Sequence, residues 1–160
     1  MLILQDGRTP LMWAAVGGHL EVVTYLVTHG SQLEATDRLG RTPLMLAAVE
    51  GHLEVVTYII SHGSQLEATD TWIGMTPLMW ATMGGHLEVV TYLVSHGSQL
   101  EATDEDGETA LHCAAKYGRI DTTKWLIDQG CSPWMKSKKV TFSVHSYSVS
   151  LLTKNVYILN

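Results

Sequence analysis

The sequence predicts an all-α repeat solenoid, built from helix-turn-helix units with projecting hairpins. Two observations carry this. The segment GHLEVVTYLVTHGSQLEATD at residues 18–37 returns almost unchanged at 51–70 and at 85–104. The threonines that open each unit, Thr9, Thr42, Thr76 and Thr109, fall 33, 34 and 33 residues apart. A period of that size marks a stacked array, in which one supersecondary unit cannot bury its own apolar face and relies on its neighbours to do so.

The first helix of each unit opens at Thr-Pro (Thr9-Pro10, Thr42-Pro43, Thr76-Pro77) or, in the fourth unit, at Thr109-Ala110. Threonine is suited to cap free amides, and proline to the first helical turn, where its missing N–H costs nothing. Glycines at 17–18, 51, 84–85 and 118 break this helix about two turns later. The second helix shows apolar residues at helical spacing in Leu20, Val22, Val23, Leu26 and Val27, and it ends at Gly30, Gly63, Gly97 or Gly130. What remains of each unit, such as residues 31–40, lacks helical periodicity and reads as a turn or hairpin.

These residues resemble the ankyrin repeat. Its pattern, D-x-x-G-x-T-P-L-H-x-A-A-x-x-G-H followed by a V-V-x-x-L-L helix and a closing glycine, is matched nearly position by position over residues 37–63. The resemblance covers about residues 5–133 in four units, approximately 5–36, 37–69, 70–103 and 104–133, and leaves 134–160 as a divergent, strand-prone or disordered tail. There are departures. The histidine of the TPLH motif is Met12, Met45 and Met79 in three units and survives only as His112. Apolar packing is expected to replace its hydrogen bonds in those three. Glu34, Glu67 and Glu101 stand where many ankyrin repeats carry Asn, so the loop bonding of that Asn is not expected here.

Composition agrees with a soluble intracellular array, cytoplasmic or nuclear. Of 160 residues, 46% are hydrophobic and 16% charged, enough apolar surface for a core shared between units. The N-terminal MLILQDG is too short for a signal-peptide core, and no run approaches the ~20 apolar residues of a membrane span. The two cysteines, Cys113 and Cys131, read as reduced thiols. All sixteen acidic residues but only six of the ten Lys and Arg lie within residues 1–135. An acidic array offers phosphates no basic face, which argues against nucleic acid as a partner.

Both ends look cut, as in a fragment of a longer chain. The first unit starts without a polar capping helix, and the fourth replaces the Val22-Val23 pair by Thr122-Thr123. The final stretch alternates apolar residues at Val140, Phe142 and Val144, then at Tyr147, Val149 and Leu151. Two readings stand for it: a cover over the last unit, or a poorly ordered extension.

No catalytic, cofactor or metal constellation is evident. Six of the eight histidines are repeat copies, His19/His29, His52/His62 and His86/His96. Successive copies are expected roughly 10 Å apart along the stack, too far to share a zinc ion with bonds of ~2 Å. No strained nucleophile turn or glycine-rich phosphate loop accompanies the serines and aspartates. The expectation is a non-enzymatic, monomeric protein-interaction module, a scaffold or adaptor. A regulatory segment of an enzyme whose catalytic domain lies elsewhere is the alternative, as is a truncated product without a function of its own.

Variation among units suggests where a partner is held. The second helices and following loops hardly change, whereas the hairpin tips and the far ends of the first helices do. In the ankyrin family these positions line a concave face that grips proteins. The residues so implied are Arg8, Arg38, Leu39, Arg41, Trp72, Ile73, Met75, Glu105, Asp106 and Glu108 in the tips. From the first helices come Glu50, Met83, Lys116 and Tyr117. Drift at exposed positions is the competing explanation for the variation. Trp72 with Met75 and Met83 forms an expected apolar anchor, unless Trp72 folds back on a neighbouring hairpin. Arg8, Arg38 and Arg41 flank it on one side, and Asp104, Glu105, Asp106 and Glu108 on the other, an order suited to steering a partner. Trp13 and Trp80 are expected to pack and present at most one edge.

Overall fold

The computed structural model describes residues 6–138. Four helix pairs follow one another: α1 (Pro10–Val16) with α2 (Leu20–Thr28), α3 (Pro43–Glu50) with α4 (Leu53–Ser61), α5 (Pro77–Gly84) with α6 (Leu87–Ser95), and α7 (Ala110–Lys116) with α8 (Ile120–Asp128). The first helices pack in one row, α1 on α3 on α5 on α7, and the second helices in another. The core fills the space between the rows. Leu11, Leu44 and Leu78 are buried from one side and Val56, Ile59, Val90, Leu93 and Leu126 from the other. The tail from residue 139 lies outside the described residues.

The Thr-Pro openings work as expected, with one addition. Thr9 Oγ1 accepts the Met12 N–H at 3.3 Å, and Met12 Sδ accepts the Thr9 N–H in return. Thr42 and Met45 repeat the exchange. In these two units methionine therefore keeps the acceptor half of the histidine's role, beyond the apolar packing expected of it, whereas in the third only the Met79 N–H to Thr76 Oγ1 bond is made. Methionine cannot make the forward bond. His112 does, taking the Thr109 N–H on Nδ1 while Nε2 donates to the Met135 carbonyl at 2.9 Å, which joins the fourth unit to the segment that follows.

Polar contacts repeat with the period. His52 Nε2 donates to the Val16 carbonyl, His86 Nε2 to Val49, and Arg119 Nε to Met83, so each second helix is tied to the first helix of the preceding unit. Gly51 (φ 82°) makes room for this, because a Cβ there would strike the His86 ring. His29, His62 and His96 instead turn back within their own helices, stacking on Tyr25, Tyr58 and Tyr92 and donating from Nδ1 to the tyrosine carbonyls. The glutamates also bond between loops. Glu34 accepts from the Ser64 hydroxyl and the Gln65 N–H, and Glu67 from the Gln99 N–H. Loop bonding thus persists, with a carboxylate in place of the amide.

The second, third and fourth hairpins are each closed by a buried aspartate. Asp37, Asp70 and Asp104 are 6%, 3% and 5% exposed, and Asp104 is therefore no part of the acidic surface expected of it. Asp37 accepts the Leu39 and Arg41 N–H groups, both at 2.9 Å, and pairs with the Arg41 guanidinium at 2.7 Å. Burial of this carboxylate opposes its ionisation, yet the Arg41 guanidinium and the amides outweigh it and hold the pKa below the ordinary 3.8. A carboxylate depressed in the folded state contributes stability above its unfolded pKa, and that contribution is lost as pH falls through the folded value. Asp37→Asn should accordingly flatten the acid limb of a melting-temperature profile below about pH 4. A profile parallel to wild type there would mean that Asp37 does not carry it.

Candidate protein-binding surface

The four hairpin tips and the segment after the fourth unit form one hydrogen-bonded row. The Arg38 N–H donates to the Asp6 carbonyl (3.2 Å), Thr71 to Leu39 (2.9 Å), Glu105 to Ile73 (3.0 Å) and Lys138 to Asp106 (2.8 Å). The donor is the residue after the tip aspartate in the first three bonds and the residue after Ser137 in the fourth, and the acceptor is the residue before the tip glycine. Gly40 (φ 77°) lies against this junction, where a Cβ would collide with the Thr71 backbone. In the second and fourth tips donor and acceptor are adjacent, Arg38-Leu39 and Glu105-Asp106. In the third they are Thr71 and Ile73, so the residue that lengthens the period to 34 is Trp72 itself.

That position makes Trp72 project. Its side chain is 58% exposed, and its backbone is held, since Asp70 Oδ1 accepts the N–H groups of both Trp72 (2.8 Å) and Ile73 (2.9 Å). Asp70 Oδ2 takes the Met75 N–H and the indole N–H of Trp80 (3.0 Å). Arg38 and Leu39 on one side and Glu105 on the other are also exposed.

Other expected site residues are placed differently. Met75 is 3% exposed and belongs to the core. Met75 follows the tip glycine as Arg41 and Glu108 do, and at this position its apolar side chain is buried rather than presented in the tip. Ile73 is half-buried and packs on the core. Arg41 is largely committed to Asp37, with its guanidinium 5.6 Å from the Trp80 ring. Arg8 lies 4.6 Å over the Trp13 ring and 4.0 Å from Asp37. Both are poor steering charges compared with exposed Arg38. Asp106 is half-buried, with its carbonyl in the row.

Lys116 reaches the Glu108 carboxylate at 3.0 Å, a bond that lifts its pKa above the ordinary value and brings the end of α7 alongside the tip. Glu50 and Tyr117 are exposed and Met83 half-buried at the far ends of α3, α7 and α5, about two helical turns from the tips.

Trp80 is buried at 3%, as expected, but Trp13 at the same repeat position is 52% exposed and not a packing residue. Trp134, at 72%, is the most exposed large apolar side chain among the described residues. The signal for it was present in the sequence, because it occupies the position of Glu34, Glu67 and Glu101.

Among the described residues no group of three or more His, Cys, Asp or Glu could hold a metal ion. Both cysteines are free and buried, and burial pushes the Cys113 thiol up to about 12 and the Cys131 thiol up to about 11, away from thiolate reactivity. No helix among the described residues is long and apolar enough to cross a membrane.

A family model described as ankyrin repeats (3 copies) matches residues 2–70 and again 65–137. The chain belongs to the ankyrin-repeat family. The helix pairs and projecting hairpins are ankyrin units, all-helical with no strand among the described residues. Ankyrin repeats are in general protein-protein interaction modules and form a non-catalytic fold. No curated protein matches the chain.

Proposed function

We propose that this ankyrin array acts as a scaffold or adaptor that grips a protein partner along its row of hairpin tips, with Trp72 as the apolar anchor. The observation that carries the reading is the inserted, 58% exposed indole on a backbone fixed by Asp70. A large aromatic on a fixed backbone has little backbone freedom left to lose on binding, and such residues dominate interface energetics. Leu39 extends the apolar centre, while Arg38 and Glu105 place opposite charges on its two sides. Those rim charges act on association rate and orientation more than on affinity. Glu108 and Lys116, already paired, contribute shape.

Affinity capture with wild-type and Trp72→Ala chains tests this. The variant should lose partners retained by wild type, a weakening of ~2 kcal/mol or more, with an unchanged melting temperature. Charge reversal at Arg38 should alter mainly the association rate and its salt dependence. Glu54→Lys, on an exposed position of α4, serves as the control. The reading fails if Glu54→Lys abolishes capture while Trp72→Ala does not.

A further inference from the structure

The tip that holds Trp72 presents a knob and no hole. Of its five residues, 71–75, Ile73 is half-buried against the core and Met75 is buried, so neither stands beside the indole as a second wall. Two grooves, one lined by Leu111, Ala115 and Ile127 and the other by Tyr92, Val94 and Trp125, include no tip residue. Aromatic side chains bury about 150–250 Å² each, and more than half of the Trp72 surface is still in solvent. An extended peptide laid across the ring covers one side of it, whereas a pocket encloses it. Anchors of this kind act from well-packed, desolvated pockets. The tip supplies the indole, so the pocket belongs to the partner.

The charges around the knob are ordered. Arg38 and Glu105 occupy the same repeat position, the residue after a buried aspartate, and each donates its N–H to the row. Their side chains therefore leave the stack from equivalent points on either side of Thr71. Both are exposed, and among the described residues neither takes part in an ion pair. The tip between them, Thr-Trp-Ile-Gly-Met, carries no charge. Two repeats at roughly 10 Å each set Arg38 and Glu105 about 20 Å apart. That is more than twice the ~8 Å Debye length of physiological salt, so the two charges do not cancel, and each acts on what lies opposite it. Asp6 and Lys138 reverse the signs, but one tip further from the indole, where screening leaves them little influence on a group seated at Trp72. A linear peptide would have to order its whole length to hold an acid and a base at that separation, which costs affinity. A folded surface has both in place.

Resting on the reading of Trp72 as the anchor, we propose that the partner is a folded protein and not a linear peptide. Its apolar pocket encloses the Trp72 indole, with a carboxylate on the rim facing Arg38 and an ammonium or guanidinium on the rim facing Glu105. The pocket fixes position. The rim charges fix direction, since a partner turned end for end would set like charges against each other.

The test places a benzophenone-bearing residue at Leu39, which is exposed in the adjoining tip and serves the hairpin through its backbone, and cross-links the full chain under light in an extract of the cells that express it. The protein whose cross-link disappears with Trp72→Ala is purified, and binding is measured for the intact protein and for its cross-linked segment as a synthetic peptide. The intact protein should bind Trp72→Ala about thirtyfold or more weakly than wild type. The peptide should bind wild type at least about a hundredfold more weakly than the intact protein does. The double swap Arg38→Glu with Glu105→Arg keeps the net charge, reverses its order, and should slow association about tenfold or more at low salt. These variants should fold, because Arg38, Trp72 and Glu105 serve the hairpins through their N–H groups. A peptide that matches the intact protein in affinity and in its need for Trp72 makes the occupant a linear segment and overturns the proposal, while the anchor stands. A Trp72-dependent cross-link to a second copy of the chain overturns it too, as does an unchanged association rate for the double swap. If no cross-link depends on Trp72, the anchor itself is refuted, and the folded partner with it.

Discussion

Val56→Asp is expected to abolish the cooperative melt of the array, or lower its midpoint by tens of degrees. Val56 is fully buried between the helix rows, and each atom of a carboxylate placed there would be withdrawn from water without a partner. Burying an unpaired ionisable group costs several kcal/mol, against a total stability of ~5–15 kcal/mol for a domain. The loss also spreads, because the second unit supplies the interfaces on which the first and third rely. Val22→Asp is the matched control. It lies one residue earlier in the equivalent helix, in the identical local sequence LEVVTY, but it is nearly half exposed and should cost little. Thermal denaturation followed by helical circular dichroism separates them, and equal midpoints for the two variants would refute this account of the core.

The second large effect is expected at Asp70. Its carboxylate accepts four N–H groups, from Trp72, Ile73, Met75 and the Trp80 indole, and it is 3% exposed. Asp70→Ala removes every acceptor at once. An orphaned buried donor costs about 1–3 kcal/mol. The sum is not simply additive, since water can reach the backbone amides of an opened tip, but the Trp80 indole is enclosed. A fall of several kcal/mol in urea unfolding free energy is expected, with loss of Trp72-dependent binding even under conditions where the array remains folded. Asp70→Asn, which retains one carbonyl oxygen and the shape, should lie between. A denaturation midpoint for Asp70→Ala equal to that of wild type would show that the tip holds itself together without this residue.

Helix positions were legible in the sequence because they rest on local chemistry copied several times. Threonine caps, the glycine breaks and the Val-Val stripe specify the same pair in each unit, and Pro10–Val16 and Leu20–Thr28 fall where these signals place them. Exposure was less legible, because it depends on neighbours that local sequence does not encode. Trp13 and Trp80 share the context PLMWA, yet one is half exposed and the other enclosed, since only Trp80 has a hairpin and an aspartate folded around it. Met75 misled for another reason. In sequence it groups with Arg41 and Glu108, its counterparts after the tip glycine, as part of the exposed tip, whereas this position lies on the inner side of the hairpin, where Asp70 holds the Met75 N–H and an apolar side chain is buried. Trp72 itself was readable as an exposed aromatic, because an insertion in a tip has no space to fill inside.

The tip that carries Trp72 is one residue longer than its neighbours, yet it keeps both of its bonds in the row, Thr71 to Leu39 and Glu105 to Ile73. Length is absorbed between donor and acceptor, so the loop can be rewritten there without retuning the stack beneath it. A foreign peptide segment inserted between Thr71 and Ile73, with Asp70 and Gly74 retained, would be displayed from fixed anchor points. Each such tip is a separate cassette, and an array of them can change what it recognises one loop at a time while the helices stay as they are.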